Sequence, residues 1–148
     1  MTGRCYEEIK IGERITTPAR TVTEADIVLF AGLSGDQNPI HTDAEFCRGT
    51  PFGRPMAHGL LVVSILSGLL ERTGIQEGTI IAMRRMNEIE FRIPVFPGDT
   101  VHGVIEALEK SAHKAGGLVK FRMTGLNQRA ETVLLLVYEV ILKSRNGT

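Results

Sequence analysis

Cysteine is scarce in this sequence. Its 148 residues include only Cys5 and Cys47, and no CxxC spacing occurs. A structural zinc site normally needs four closely spaced ligands, so these cysteines do not predict one. We expect both to be free thiols in a protein of a reducing compartment.

Neither positive nor negative charge is in excess. Seventeen lysines and arginines balance seventeen aspartates and glutamates, which gives a formal net charge of zero. Without an overall basic field, the protein is not expected to bind nucleic acid or a membrane surface. An anionic ligand would need a local patch of basic residues.

The sequence also lacks a long apolar run. The longest, residues 60–70, contains two serines and a glycine and is too short to cross a bilayer. The first ten residues, MTGRCYEEIK, contain no apolar segment typical of a signal peptide. We therefore expect a soluble protein of the cytoplasm. The length and the 43% of hydrophobic residues predict one domain over residues 1–148.

Hydrophobic periodicity predicts two main helices. Thr23 and Asp26 have the spacing of a capping box ahead of apolar residues at helical intervals, which predicts a helix over residues 24–33. Residues 58–73 are apolar on nearly every face, which is typical of a buried helix. Small residues share one side of that helix, and we expect another element to pack closely against them. They are Ser64, Ser67 and Gly68.

Strands are predicted before the first helix and after the second. One strand is expected over residues 14–21, where β-branched residues are frequent. After Gly78, the turn sequences PGD, HKAGG and QRA separate four strand-like segments. These segments span residues 79–95, 100–109, 117–127 and 131–143. The pattern predicts an α+β fold in which a curved antiparallel sheet wraps around the long apolar helix.

Glycine and proline recur through residues 34–57, which predicts a loop with short helical turns. A loop of this length in a small domain is usually functional. It places Asp36, Asn38 and His41 within six residues. If the carboxylate and the imidazole meet across one water, they could share its protons, as hydration or dehydration requires. Free N–H groups at the helix start, near Gly59, could polarise a carbonyl oxygen.

Simpler interpretations of these residues remain open. Asp36 and Asn38 could be turn residues that bond nearby backbone, with His41 an exposed loop histidine. His58 is interpreted as a capping or packing residue, because an imidazole just before a helix more often has that role. Asp43 is expected to cap a turn over residues 44–47.

Two other motifs suggest different chemistry. Residues 32–36 nearly match the G-x-S-x-G nucleophile elbow, but Asp36 stands where its last glycine should be. His41 and Asp43 have the H-x-D spacing of an iron site, with His102 or His113 as a possible third ligand. Such two-residue spacings often arise by chance, so we expect no metal site.

Three longer stretches carry a more specific signal. They read GDQNPIHTDAEF, FGRPMAHGLLVVSILSGLL and FRIPVFPGDTV. Together they resemble the MaoC-like (R)-specific enoyl-CoA hydratases, over roughly residues 14–110. The resemblance implies a hot-dog fold, a homodimer or larger homo-oligomer, and no cofactor. It also implies reversible syn addition of water to a trans-2-enoyl thioester of coenzyme A or acyl carrier protein, giving the (R)-3-hydroxyacyl thioester.

The resemblance also implies roles for individual residues. Asp36 and His41 match the pair that holds the catalytic water, and Gly59 matches the amide that binds the thioester oxygen. Asn38 matches the asparagine that supports the loop, and Ser67 matches a helix serine near the substrate. We group these last two as substrate-binding, although from the residues alone Ser67 is better interpreted as a small packing residue.

Alternative functions must be weighed against this one. A thioesterase of the same fold commonly uses a carboxylate on or beside the central helix, and here that helix carries none before Glu71. A non-catalytic module that binds acyl thioesters would be expected to lack Asp36 or His41, and both are present. A metal-dependent oxygenase would need more strands than this chain can supply.

Overall fold

The computed structural model of the protein describes residues 3–145. The domain predicted over residues 1–148 therefore extends beyond the described range at both ends. A short 3-10 turn, Tyr6–Glu8, comes before the first strand. The helices are α1 (Glu24–Ser34), α2 (Pro39–Thr42), α3 (Ala44–Arg48) and α4 (Gly59–Glu71), and the strands are β1 (Arg14–Thr16), β2 (Arg20–Thr21), β3 (Ile80–Phe91), β4 (Thr100–His113), β5 (Gly116–Leu126) and β6 (Thr132–Leu142).

The capping box predicted for the first helix is present. The backbone N–H of Asp26 donates to the Thr23 hydroxyl at 3.2 Å, and the Thr23 N–H donates to the Asp26 carboxylate at 2.8 Å. These bonds satisfy donors that a helix start leaves free, so α1 begins where the sequence predicts. Gly35 ends it in the left-handed conformation, with φ of 77°.

The single strand predicted over residues 14–21 is wrong, because the structure has two short strands there. Both pair with β4, and the register shifts by one residue between them. Pro18 lies in the gap and has no N–H to donate to a ladder. The Thr17 hydroxyl instead accepts a hydrogen bond from the Gly103 N–H at 2.8 Å, which holds the interruption against β4.

The strands form an antiparallel sheet in the order β1-β4-β5-β6-β3, with β2 also paired to β4. The antiparallel arrangement is as predicted. The strand predicted over residues 79–95 ends earlier, at Phe91. Val95 instead accepts a hydrogen bond from the Ala57 N–H at 2.8 Å, so this segment leaves the sheet and runs beside the residues that precede α4.

Helix α4 supplies much of the core, as expected. Seven of its side chains are buried in the same apolar cluster as side chains of β4, β5 and β6. Burying a large apolar side chain stabilises a fold by about 1.5–3 kcal/mol. The helix and the sheet approach closely at Gly125 of β5, where a Cβ would lie 2.5 Å from Leu66 Cδ1. This sheet wrapped on one helix is the arrangement that the resemblance to hot-dog proteins implied.

The close packing predicted for the small residues of this helix is wrong within the described chain. Ser64 and Gly68 are exposed, and a Cβ at Gly68 would meet nothing within 4 Å. Leu60 lies on the same side and is 62% exposed. The outward side of α4 is therefore its small-residue side, whereas the close contact with the sheet depends on a glycine of β5.

Both cysteines are free thiols, as predicted, with Cys47 buried and Cys5 partly exposed. Within residues 3–145, no helix is both long enough and apolar enough to cross a membrane.

Two glycine substitutions test this packing. We expect Gly125→Ala to lower the free energy of unfolding by about 1–3 kcal/mol, because the added methyl group collides with Leu66 in a filled core. Gly68→Ala should raise it by up to about 1 kcal/mol, because alanine is the better helix former and the site is open. Urea unfolding of the two variants measures both values. A neutral Gly125→Ala would contradict the close approach.

Candidate active site

A cavity of about 770 Å³ opens beside the amino end of α4. Its walls are mainly apolar and come largely from α1, from the loop before α4, from the start of α4 and from residues 91–95 at the end of β3 and beyond it. Polar groups also line it. They belong to Ser34, Asp36, His41, His58 and Arg92 and to the backbone of Gly59.

Asp36 and Asn38 shape the loop through their side chains. Asp36 Oδ1 accepts from the Asn38 N–H, and Asn38 Oδ1 accepts from the Ile40 N–H, each at 3.2 Å. Asn38 thereby caps α2, and Pro39 occupies its first position. The turn interpretation of these two residues is therefore correct, but Asp36 also lines the cavity.

His41 is partly buried and held by the backbone. Its Nδ1 lies 2.8 Å from the carbonyl oxygen of Met56. A carbonyl oxygen only accepts hydrogen bonds, so Nδ1 must carry the proton in this contact. In the neutral imidazole the other nitrogen, Nε2, is then the unprotonated atom and can act as an acceptor or base.

His58 is the polar residue that sequence reasoning left out of the chemistry. Its side chain is 3% exposed and makes no capping hydrogen bond to α4. The Nε2 atom lies 3.0 Å from the backbone oxygen of Asp36, and the ring stacks on His41 with 3.8 Å between centroids. The packing interpretation is therefore correct, and its partners are the loop residues Asp36 and His41.

One nitrogen or carboxylate oxygen from each of Asp36, His41 and His58 lies within 4.8 Å of the others. A water that bonds to two groups at about 2.8 Å each fits such a gap. The two histidine rings are stacked, with 28° between their planes. The same three groups are close enough to form a candidate metal cluster, and one water can also bridge the gap between them.

Gly59 is the first residue of α4, where N–H groups have no partner within the helix. The ring of Phe91 lies close to it, and a Cβ at position 59 would be 2.7 Å from a ring carbon. A side chain here would displace Phe91, which is also part of the cavity wall. Glycine therefore leaves the helix start open to a group inside the cavity.

A second cavity, of about 610 Å³, also touches His41. Arg54 lines it and lies 4.0 Å over the ring of Phe96. Among residues 3–145, no carboxylate forms an ion pair with Arg54. This cavity, which Glu24 also lines, therefore offers a cationic group that has no ion-pair partner among the described residues.

Comparison with known proteins identifies the family of this chain. The sequence model of the MaoC like domain matches residues 8–125. The chain belongs to the MaoC-like family. It is 42% identical to Protein MaoC of Klebsiella aerogenes over 96 residues, which are 65% of this chain and 28% of that protein. It is 35% identical to the (R)-specific enoyl-CoA hydratase of Aeromonas caviae over 100 residues, which are 68% of this chain and 72% of that enzyme.

A solved structure gives the same result for the fold. It is described as a monoamine oxidase regulatory protein from Archaeoglobus fulgius, and it matches this chain with a TM-score of 0.89 and 39% identity over 96% of each chain. The fold of this MaoC-like chain is the hot-dog fold, as the resemblance implied.

The predicted site residues of the MaoC-like chain fall into two groups. Asp36, His41 and Gly59 line one cavity. Asn38 and Ser67 are not among the residues that line it. Ser67 lies on α4 eight residues beyond Gly59, about 12 Å along the helix. The substrate-binding role of Asn38 and Ser67 stays a prediction.

The competing motifs do not form sites among the described residues. Ser34 ends α1 and donates to the Phe30 oxygen at 2.7 Å, so it is not on a strand-to-helix elbow. Asp43 caps α3 by accepting from the Phe46 N–H at 2.9 Å, as predicted. The candidate metal cluster includes neither Asp43 nor the two histidines of β4.

Several cavity residues were not found from the sequence. Phe30, Phe91 and Val133 line the cavity from α1, β3 and β6. These apolar residues look like ordinary core or surface residues in the sequence, and no local spacing connects them to the loop. His58 had one available signal, its position between the loop and Gly59.

Proposed function

We propose that this MaoC-like protein is an (R)-specific hydratase or dehydratase. It adds water reversibly to a trans-2-enoyl thioester and gives the (R)-3-hydroxyacyl thioester. In this proposal residues 1–148 act as one domain, in the cytoplasm, with the substrate carried on coenzyme A or acyl carrier protein. The names of the relatives in the family support the reaction and its stereochemistry.

One observation carries the proposal. A carboxylate oxygen of Asp36 and a ring nitrogen of His41 lie within 4.8 Å of one another, in a cavity that also contains the amino end of α4. These are the groups that hydration needs, namely two acceptors for a water and a donor for the thioester oxygen. The apolar remainder of the wall suits an acyl chain.

The protons can be followed through the reaction. Water donates hydrogen bonds to the Asp36 carboxylate and to Nε2 of His41, which in the neutral ring is the acceptor because Nδ1 donates to the Met56 oxygen. As the water oxygen bonds to C3, Asp36 takes one proton, and the other stays on the new hydroxyl group. The protonated Asp36 then gives its proton to C2 on the same face. This completes a syn addition and needs no metal or cofactor.

Negative charge develops on the thioester oxygen while C3 is attacked. The N–H groups and the positive dipole end of the first turn of α4 can stabilise this enolate-like charge. We assign the Gly59 N–H as the donor, because Gly59 lines the cavity at the first position of the helix.

The carrier is expected to bring phosphate groups, since both coenzyme A and acyl carrier protein have them. Arg54, in the second cavity that His41 also lines, is suited to such a group. It supplies the local basic group that a chain of zero net charge would need to bind an anionic carrier.

We predict that Asp36→Asn and His41→Ala each reduce hydration by about 100- to 10,000-fold with little change in melting temperature. The amide of asparagine keeps the shape of Asp36 but cannot take the proton from water. Loss of the conjugated enoyl thioester absorbance measures the rate over a panel of chain lengths. The matched control for His41→Ala is His102→Ala. His102 lies on β4 away from the cavity, so this variant should keep wild-type turnover.

Wild-type turnover in folded Asp36→Asn would contradict the proposed base. Release of free thiol in place of hydration, measured with a thiol reagent in the same samples, would identify a thioesterase. Tight binding of the thioester without either reaction would identify a binding module.

The oxyanion role predicts a difference between two substitutions at Gly59. Proline is tolerated at the first helical position but has no N–H, and His58 already has an extended backbone with ψ of 138°. Alanine adds the same Cβ near Phe91 and keeps the N–H. We therefore expect Gly59→Pro to turn over about a hundredfold more slowly than Gly59→Ala.

Binding of the saturated acyl thioester should be similar in these two variants, because the donor acts on charge that forms during the reaction. Equal turnover in the two folded variants would show that another group binds the thioester oxygen.

The edge strand supports a homodimer or a larger homo-oligomer. Strand β3 pairs only with β6 among the described strands, and several large apolar side chains on it are exposed. They are Ile81, Met83, Met86, Ile89 and Phe91. An unpaired edge strand of twelve residues that exposes these apolar side chains beside its charged ones would invite uncontrolled association, so we propose that a second copy covers it.

Sedimentation at micromolar concentration should show a dimer or a larger homo-oligomer. We expect Met83→Lys, on the exposed edge, to shift the protein toward monomer because it puts a charge into the interface. Leu33→Lys is the matched control, since Leu33 is 85% exposed and belongs to α1 rather than to the edge strand. A fully active monomeric wild type would contradict the proposed assembly.

A further inference from the structure

His58 contacts both of the groups that the proposed reaction uses. Its ring is 3% exposed, bonds to the backbone of Asp36 and stacks on His41. We propose that His58 is a positioning residue that sets the gap between the Asp36 carboxylate and the His41 ring. This inference rests on the proposed hydratase function for its kinetic consequence, and on geometry alone for its contacts.

The hydrogen bond to Asp36 shows which ring nitrogen of His58 carries a proton. The Asp36 carbonyl oxygen can only accept, so Nε2 of His58 is the donor at 3.0 Å. In the neutral ring Nδ1 then carries a lone pair, and it is buried with no hydrogen-bond partner among residues 3–145. His58 is therefore a donor toward the loop and makes no further polar contact.

A buried acceptor without a partner costs stability. If His58 only filled space, an apolar ring would fill it without that cost. The unpartnered Nδ1 therefore indicates that a histidine is required here for its Nε2 donor. That donor holds the Asp36 backbone by a hydrogen bond. Sequence position agrees, because His58 immediately precedes Gly59 and so links the loop to the start of α4.

Stacking on His58 restrains the second catalytic group, the His41 ring. His41 is held at one ring nitrogen by the Met56 oxygen, and its face lies on His58 at 3.8 Å between centroids. Phe30 contacts His58 at 5.0 Å and supports its ring. The hydrogen bond to Met56 holds one edge of the His41 ring, and the stack on His58 supports its face.

Loss of either contact should alter the gap that holds the water. A misplacement of about 1 Å in a catalytic group reduces turnover by about a hundredfold. Substrate binding depends mainly on the apolar wall, most of which comes from residues other than His58. A positioning residue therefore lowers kcat and leaves KM nearly unchanged.

Two substitutions separate the contacts of His58. His58→Phe keeps a ring to stack on His41 and removes the donor to Asp36. His58→Gln keeps a donor near the place of Nε2 and removes the ring. We expect each to lower kcat about ten- to a hundredfold, with KM and the Kd of a saturated acyl thioester within about threefold of wild type. His102→Gln is the matched control and should be unaffected.

Nitrogen-15 NMR of the histidine rings gives a readout that does not need activity. Wild type should show His58 protonated on Nε2 and His41 protonated on Nδ1. In His58→Gln the nitrogen shifts of His41 should move toward tautomer averaging, while those of His102 and His113 stay unchanged.

The outcomes distinguish the two proposals. If wild type hydrates thioesters and both His58→Phe and His58→Gln hydrate them at the same rate as wild type, the positioning role is wrong and the proposed function stands. Wild type that hydrates no thioester in the panel would overturn the function, while the NMR result still decides the contacts. If both variants fail to fold, wild-type His58 protonated on Nδ1 would by itself overturn the inference.

Discussion

The packing of α4 against the sheet is the constraint on which the candidate site depends. Seven side chains of this helix are buried, each contributing about 1.5–3 kcal/mol relative to exposure, so the helix cannot shift without losing much of the core. Its amino end is fixed with it. The hydrogen bond from Ala57 to Val95 also fixes the approach to the helix, so His58 and Gly59 have one position relative to the cavity wall.

The loop before α4 is rich in glycine and proline, yet it is attached to this fixed point in several ways. Asp36 receives a hydrogen bond from His58, and His41 is bonded to the Met56 oxygen. Holding a loop in one conformation costs about 1–2 kcal/mol of backbone entropy per residue. The short helices α2 and α3, with their side-chain caps, offset part of that cost. The spacing of Asp36 and His41 therefore depends on the same contacts that hold the loop.

Much of the fold could be predicted because its signals are local. The capping pair Thr23 and Asp26 and the apolar pattern of α4 are present in adjacent residues, and both helices formed near the expected bounds. The predictions that failed needed distant partners. The strand predicted over residues 14–21 is two short strands, because its pairing with β4 changes register between them. The strand predicted over residues 79–95 ends early, because Val95 accepts a hydrogen bond from Ala57 instead of pairing in the sheet. Local patterns do not specify which distant backbone groups will meet.

By itself, the sequence determined which groups the loop brings close together. Asp36, Asn38 and His41 are within six residues, and turn bonds over such short distances form from neighbouring atoms. Only the tertiary structure decided what surrounds them. Phe91 and Val133 reach the cavity from strands far along the chain, and His58 contacts Asp36 across 22 positions. Such contacts form because burial of apolar surface brings distant segments together, and that burial is a property of the whole chain.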